Sequence, residues 1–210
     1  MSAHFGAHNL KAGIDAGVSP VRERLDYAIT DPDAFDPGTP ERFAFSDSRT
    51  GNEQSAFIQD QIRMGRWTVS AGLRWDHYRV IVDRSALSPR LGVSWAPSAG
   101  LVLRASYDRA FQTPAIENLL LASSPDIDAL GDDVVRLPLE PSMGNFYEVG
   151  LAKQLPARLR LSASHYRRDM TNFADDDLLL NTGVSFPIAF RRAHVEGTEV
   201  ALDLARWRSW

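Results

Sequence analysis

The stretch that decides the fold is PRLGVSWAPSAGLVLRASY, residues 89–107. On either side of a break at 97–100, apolar side chains occupy every second position, and mostly polar or small residues stand between them. Successive side chains of a β-strand point to opposite faces, so this period of two predicts two strands with one apolar and one polar face each. The Pro-Ser-Ala-Gly break predicts a tight turn, and the two strands therefore form a hairpin.

The same alternation recurs along the chain and is longest in WTVSAGLRWD, residues 67–76. It predicts about eight strands in all, with ends uncertain by a few residues. In the stretch 54–64, Asp60 falls on the apolar side, which predicts a strand end or a bulge near Asp60. The other alternating stretches are 10–18, 147–152, 159–164 and 199–204.

The connections alternate between tight and longer ones. Such alternation is typical of an up-and-down barrel in which all tight turns lie at one end. Tight breaks fall at 65–66, 97–100 and 155–158, and longer connections rich in Asp, Pro, Gly and Ser at 28–51, 82–86, 112–142 and 174–184. Trp67 and Trp95 flank tight turns, whereas Tyr78, Tyr107, Phe111 and Phe146 lie towards the longer connections. Two aromatic belts of this kind indicate two membrane interfaces.

Composition narrows the functional classes. The 210 residues are 44% hydrophobic, but the sequence has no apolar run of about 18 residues, which a membrane-spanning helix needs. The strands of a membrane barrel require no such run. A net charge of -4 with scattered Lys and Arg argues against nucleic acid as a partner. The absence of Cys excludes disulfides and thiolate chemistry. The opening MSAHFGAHNL lacks the features of a signal peptide, so, if the protein lies outside the inner membrane, we expect either a fragment or the mature form of a processed protein.

Catalytic and metal-binding motifs are missing. The five His residues have no metal-ligand spacing, and no nucleophile or nucleotide motif is present, so we predict no enzyme, no metal and no cofactor. The segment SPDIDALGDD, 124–133, places Asp126, Asp128 and Gly131 as in a calcium loop. Leu130 and Leu137 stand where ligands are needed, which favours an ordinary external loop. A short helix is predicted at 114–121, opened by Pro114.

Several motifs, taken in order, resemble the barrel of the TonB-dependent outer-membrane receptors. They cover most of residues 52–204. They are QDQ (59–61), GLRWDHY (72–78), SPRLGVSW (88–95), LRASYDRAFQTPAIENLLL (103–121), NFYEVGL (145–151) and VEGTEVAL (195–202).

The resemblance implies a fold, a location and a function. The family's fold is a barrel of about 22 antiparallel strands with a plugged lumen. We therefore expect an all-β chain that forms a partial transmembrane β-barrel over 1–210, without the plug domain. The resemblance further implies the bacterial outer membrane, the plug, TonB and lipid as partners, and active uptake of a scarce small-molecule ligand such as an iron-siderophore chelate or vitamin B12.

Combined with the alternation, this expectation assigns the two faces of the strands. The polar face would line the lumen, with candidate residues Arg74, Asp76, Arg104, Asp108, Glu148, Glu199 and Asp203. The apolar face would contact lipid through Trp67, Val69, Leu73, Leu91, Val93, Leu101, Leu103, Val149, Leu151, Leu161, Val200 and Leu202.

Two alternatives stay open from the sequence. Eight strands also suffice for a small closed barrel, and a soluble β-sandwich that binds carbohydrate would show the same alternation. A sandwich would bury its apolar faces between two layers, whereas a membrane barrel would leave them on the outside.

Overall fold

Nine antiparallel strands lie side by side in one sheet, in the same order as in the chain. The structure is a computed structural model and describes residues 1–31, 33, 39–114, 119–126, 140–178 and 185–204. The strands are β1 Ser2–Phe5, β2 His8–Ala28, β3 Arg42–Met64, β4 Trp67–Arg79, β5 Asp83–Ser98, β6 Leu101–Gln112, β7 Ser142–Gln154, β8 Leu159–Leu178 and β9 Ser185–Leu204; one helix, α1, spans Leu119–Ser123. The all-β, up-and-down prediction is confirmed.

The tight turns lie together at one end of the sheet. Three of them place a glycine in the left-handed region, at Gly6 (φ 57°), Gly65 (φ 58°) and Gly100 (φ 75°), where a side chain would be strained. A 3-10 turn at Pro156–Arg158 joins β7 to β8. The other end carries the connections 29–41, 80–82, 113–141 and 179–184.

The strands at this second end are longer than the alternation predicts. The pairing of β2 with β3 continues to Ala28 and Arg42, so residues 42–51 are strand rather than loop. Residues 174–178 likewise belong to β8. The count is nine rather than eight because the short β1 pairs with the start of β2. Far from the tight turns, polar residues occupy both faces, and the period of two disappears from the sequence although the strands continue.

Of the two alternatives predicted for Asp60, the bulge is wrong, and Asp60 lies four residues before the end of β3 at Met64. The registers of β3 with β2 and with β4 run past Asp60 without a shift. The carboxylate is instead accommodated by a side chain of the neighbouring strand, because Oδ2 of Asp60 lies 2.5 Å from Nδ1 of His8. A hydrogen-bonded partner lowers the cost of placing a carboxylate on an otherwise apolar surface.

The apolar face of the sheet is exposed. Leu91 is 53% exposed, Val149 55% and Val200 69%. Trp67 and Trp95, paired across β4 and β5, stack with ring centroids 5.2 Å apart. In the described part of the chain, the strands form one sheet with no second sheet against this face. None of the described helices has the length and hydrophobicity needed to cross a bilayer.

Among the described residues, a buried apolar cluster lies on the opposite face. Helix α1 buries Leu119, Leu120 and Leu121 to 1% exposure against Val21 and Phe45 of β2 and β3. These sheet residues share the face of Glu23, whose two carboxylate oxygens accept hydrogen bonds from the backbone N–H groups of Leu120 (2.9 Å) and Leu121 (3.0 Å).

The position of α1 also gives the direction of curvature. This short helix contacts both β3 and β9, which are far apart in the strand order. One short helix reaches both strands only if the sheet curves around it. The face with Glu23 is therefore concave, and the exposed apolar face is convex.

The hydrogen bonds from Glu23 predict a local effect. Glu23→Ala removes both charge-assisted bonds to α1, each of a kind that contributes about 1.5–3 kcal/mol. We expect the Leu120 and Leu121 amides to exchange with solvent at least about tenfold faster, because a loss of about 1.4 kcal/mol changes the equilibrium constant for local opening tenfold. Hydrogen exchange checks this. The control Asp26→Ala removes a carboxylate from the opposite face of β2 and should leave both rates unchanged, and a similar acceleration in that control would contradict the assignment.

Candidate functional site

Charged side chains from neighbouring strands form pairs on the concave face. Nε of Arg74 donates to Oδ1 of Asp76 at 2.8 Å within β4. Nη2 of Arg104 in β6 donates to Oε1 of Glu148 in β7 at 2.8 Å. Between these pairs, Nε of Arg90 in β5 lies 3.8 Å from Oδ1 of Asp108. We call these six residues the polar wall. Five of them are predicted lumen residues, and Arg90 is the addition.

A glycine makes room for one of these pairs. A Cβ at Gly150 would lie 2.9 Å from Nε of Arg104, so the guanidinium crosses directly over the glycine. Gly150 is the register partner of Arg104, and Glu148 lies two residues earlier on the same face of β7. Arg104 therefore reaches its carboxylate diagonally across the strand pair, which a side chain at position 150 would obstruct.

The last two predicted lumen residues lie on the same face but further along the sheet. In β9, Glu199 is opposite Ser164 and Asp203 is opposite Arg160 of β8. They continue the polar face beyond β7 but are not part of the polar wall.

A small polar cavity adjoins the first pair of the wall. It has a volume of about 290 Å³, and three carboxylates, Asp15, Glu53 and Asp76, contribute to its lining together with Arg74 and Gln112. Asp15, Ser55 and Asp76 are consecutive register partners across β2, β3 and β4. The hydrogen-bonding groups of three strands therefore converge on one space.

The chemistry of the wall is that of binding. Both partners of the Arg104–Glu148 pair remain about half exposed, so their unused donors and acceptors face open space. Among the described residues, no group of three or more His, Asp or Glu side chains is arranged to hold a metal ion. The wall can thus contact a polar ligand or polypeptide through charge-assisted hydrogen bonds.

The predicted apolar-face residues share the convex side. Rows of register partners run across the sheet there. One row contains Trp67, Trp95, Leu103, Leu151 and Val200, and the next contains Val69, Val93 and Val149. Leu73, Leu91, Leu101, Leu161 and Leu202 occupy further positions of the same parity. This arrangement produces a continuous apolar band.

A charged cluster beyond this band was missed by the sequence analysis. On β8 and β9, Asp169 accepts hydrogen bonds from Arg167 (2.8 and 3.2 Å) and lies 2.8 Å from His194. Glu196 lies 3.2 Å from His194 and 3.4 Å from His165. The signal in the sequence was the spacing of two in HYRRD (165–169) and HVE (194–196), which places these side chains on one face.

The cluster shifts the ionisation of two of its members. Hydrogen bonds that His194 donates to Asp169 and then to Glu196 raise the pKa of His194 above its ordinary value of 6.5. Hydrogen bonds from Arg167 and then His194 lower the pKa of Asp169 below 3.8. His194 therefore stabilises the fold fully below pH 6.5, and this contribution is lost as the pH rises through its raised pKa. The contribution of Asp169 is present above pH 3.8 and is lost as the pH falls through its lowered pKa.

A titration tests this linkage. In the folded protein, the imidazole of His194 should titrate above pH 6.5, and Asp169→Asn should move the midpoint back towards that value. NMR of labelled histidine measures both midpoints. A His194 midpoint at or below 6.5 in the unaltered protein would refute the hydrogen-bonded arrangement.

The predicted acidic loop is described only in part. Ser124 and Asp126 hydrogen-bond to each other, whereas Asp128, Leu130, Gly131 and Leu137 lie outside the described residues. The helix predicted at 114–121 corresponds to α1, which begins at Leu119 and ends at Ser123; residues 115–118 lie outside the described residues.

A model of a known protein family matches almost the whole chain. The family model described as "TonB dependent receptor-like, beta-barrel" matches residues 3–210. No curated protein sequence matches the chain.

Solved structures agree with the family match in fold. The FrpB iron transporter of Neisseria meningitidis is similar with a TM-score of 0.64 and 15% identity, over 98% of this chain and 32% of its own. A ferric enterobactin receptor of Pseudomonas aeruginosa has a TM-score of 0.61 and 21% identity, over 95% of this chain and 31% of its own. The siderophore receptor PirA of the same organism is similar with a TM-score of 0.60 and 18% identity, over 93% of this chain and 33% of its own. The chain spans about a third of the length of these proteins.

Proposed function

The chain belongs to the TonB-dependent receptor-like β-barrel family, and on this premise we propose that it forms part of the barrel wall of an outer-membrane receptor that takes up a scarce ligand. The observation that carries the proposal is the division of the sheet. Its convex face is a continuous exposed apolar band, and its concave face carries paired charges.

The exposed apolar band supports a membrane location. Exposing apolar surface to water costs about 25 cal/mol per Å², so a row of exposed Leu, Val and Trp side chains is unfavourable in water. In a bilayer the same row is solvated by acyl chains. The stacked Trp67 and Trp95 near the tight turns suit one interface. Of the residues predicted for the second aromatic belt, Tyr78 and Phe146 lie instead on the concave face, opposite Glu53 and Asp108, and the convex face has the tilted pair Tyr107 and Tyr147 at that level.

The edges of the sheet support a larger assembly. Pairing of β1 with β2 stops at Lys11, and the long β9 has a described neighbour on one side only. Within hydrocarbon every backbone N–H and C=O group needs a partner, so we propose that further strands of a longer receptor pair with both edges. In that receptor a plug domain would fill the lumen against the polar wall, and TonB would supply energy.

The proposed cargo follows from the similar structures. The similar structures are those of an iron transporter and of siderophore receptors, and we propose that this receptor also carries a ferric siderophore. The exposed donors and acceptors of the polar wall would contact the passing ligand without any chemical step. The chain therefore acts by binding and passage rather than by catalysis.

Neither alternative architecture is favoured. A small closed barrel would pair its first and last strands, whereas in the described residues β1 and β9 stand at opposite edges of the sheet. A β-sandwich would bury the apolar face that is exposed here.

A deletion strain tests the proposal. Removing the gene of the receptor that contains this chain should lower the uptake of radioactive iron from a ferric siderophore, and a panel of these is tested, beginning with ferric enterobactin. When the gene is restored, the protein should fractionate with the outer membrane. A protein recovered in the soluble fraction would contradict the location. Unchanged uptake across the panel, with the protein in the outer membrane, would contradict the cargo.

A further inference from the structure

A groove crosses the convex face where β5, β6, β7 and β8 lie side by side. Its volume is about 480 Å³. The small side chain of Ala105 leaves a depression in the sheet surface, because its register partners on either side, Val93 and Val149, are larger. The apolar sides of the groove are formed by Leu91, Val93 and Val149, of which Leu91 and Val149 are more than half exposed.

One end of the groove is polar and cationic. Tyr107, Tyr147, His165 and Arg167 line this end. Tyr107, Tyr147 and Arg167 are consecutive register partners, so the guanidinium lies level with the two phenol rings. Tyr107 donates its hydroxyl hydrogen to Oδ1 of Asn145 at 2.9 Å, in the direction away from the apolar band.

The charges around this end are predominantly positive. We call the charged residues of this surface the outer belt: Arg109, Arg167, Arg192, His165, His194, Asp169 and Glu196. With histidine counted as neutral, three arginines and two carboxylates give this surface a charge of +1, although the chain as a whole has a net charge of -4 on the same basis. An anion is therefore attracted to this surface more than to the rest of the chain.

Donors of Arg167 remain available despite its ion pair. A guanidinium has five N–H donors, and Asp169 takes one from Nε and one from Nη2. The side chain is 55% exposed, so the other donors face open space. Asp169 holds the guanidinium in place at the end of the groove.

We propose that this groove holds one acyl chain of an anionic membrane lipid whose phosphate group binds Arg167 and His165. The inference rests on the proposed function, because a lipid reaches the convex face only when the barrel lies in a membrane. An arginine fork matches phosphate oxygens in geometry and charge, and the tyrosine row sets the headgroup at the membrane interface. A zwitterionic lipid fills the same groove but also brings a positive group to the cationic end.

Lipid retention measures the effect. The full receptor is reconstituted in nanodiscs with equal amounts of phosphatidylglycerol and phosphatidylcholine of the same acyl chains, and native mass spectrometry counts the lipids retained on release. We expect preferential retention of phosphatidylglycerol. Arg167→Gln combined with His165→Gln should reduce that preference about tenfold, the effect of losing about 1.4 kcal/mol of headgroup binding.

Two further variants separate the headgroup from the acyl chain. Val149→Trp fills the groove without changing a charge and should lower the retention of both lipids. Arg24→Gln is the matched control, because Arg24 donates to Asp26 at 2.7 Å with the same spacing of two on the same side of the sheet, far from the groove. It should change nothing.

The outcomes separate the two proposals. Equal retention of both lipids, or a preference that survives the Arg167 and His165 changes, overturns the lipid site. If such a receptor still inserts and takes up iron, the proposed function stands without it. A receptor that does not insert into a bilayer overturns both.

Discussion

Ala105→Arg should destabilise the membrane-inserted receptor by about 2–4 kcal/mol, the cost of an arginine on the lipid face of a barrel near the middle of the bilayer. Ala105 lies on the convex face between its register partners Val93 and Val149, in the row between the Trp67–Trp95 pair and the Tyr107–Tyr147 pair, so the new charge would have apolar neighbours on both sides. Urea unfolding of the receptor in phosphatidylcholine vesicles, followed by tryptophan fluorescence, measures the free-energy change.

The same substitution on the other face provides the control. Ser106 lies on the concave side of the same strand, opposite Gly92 and Glu148. An arginine there meets water and a carboxylate, so Ser106→Arg should change the stability by no more than about 0.5 kcal/mol. Equal effects of the two substitutions would show that the faces do not differ in environment.

Leu120→Ala should release helix α1 from the concave face. Leu120 is 1% exposed in the cluster with Val21 and Phe45. Truncation of a buried leucine costs about 2–5 kcal/mol, which is large for a five-residue helix held by one apolar cluster and the carboxylate of Glu23. Hydrogen exchange of the α1 amides should accelerate strongly, while the amides in the middle of β4 keep their protection.

A leucine of the other face is the comparison. Leu87 is 50% exposed on the convex side, so Leu87→Ala leaves no cavity within the protein. We expect α1 protection to be unchanged in Leu87→Ala. If Leu120→Ala also leaves it unchanged, α1 is held by something other than its buried leucines.

The hairpins and the two faces could be predicted from the sequence, because each depends on a local pattern. Trp67 and Trp95 each flank a tight turn, and the period of two beside each turn assigns every second residue to the same face. The structure keeps that parity across the strands and places Arg104 beside Glu148 on the polar side. A pattern that repeats within one strand is thus readable without knowing its neighbours.

Strand length and cross-strand partners could not be predicted in the same way. Residues 42–51 are strand because they pair with β2, although their polar composition suggests a loop. His194 meets Asp169 because the pairing register of β8 and β9 places the two residues opposite each other, and nothing within either strand records that offset. The helix contact of Glu23 is equally nonlocal, since the carboxylate and the amides are almost a hundred residues apart.

The most direct test of the account is the environment of alternate residues in one strand. The chain has no Cys, so spin labels can be attached at single introduced cysteines, and β6 offers consecutive positions from Leu101 to Asp108. In the membrane-inserted receptor, oxygen, which concentrates in lipid, should relax labels at Leu101, Leu103 and Ala105 most strongly. A water-soluble nickel complex should relax labels at Val102, Arg104 and Ser106 instead. Accessibility that shows no period of two, or that is highest for oxygen at Arg104 and Ser106, would contradict the claim that the apolar face contacts lipid and the charged face lines the lumen.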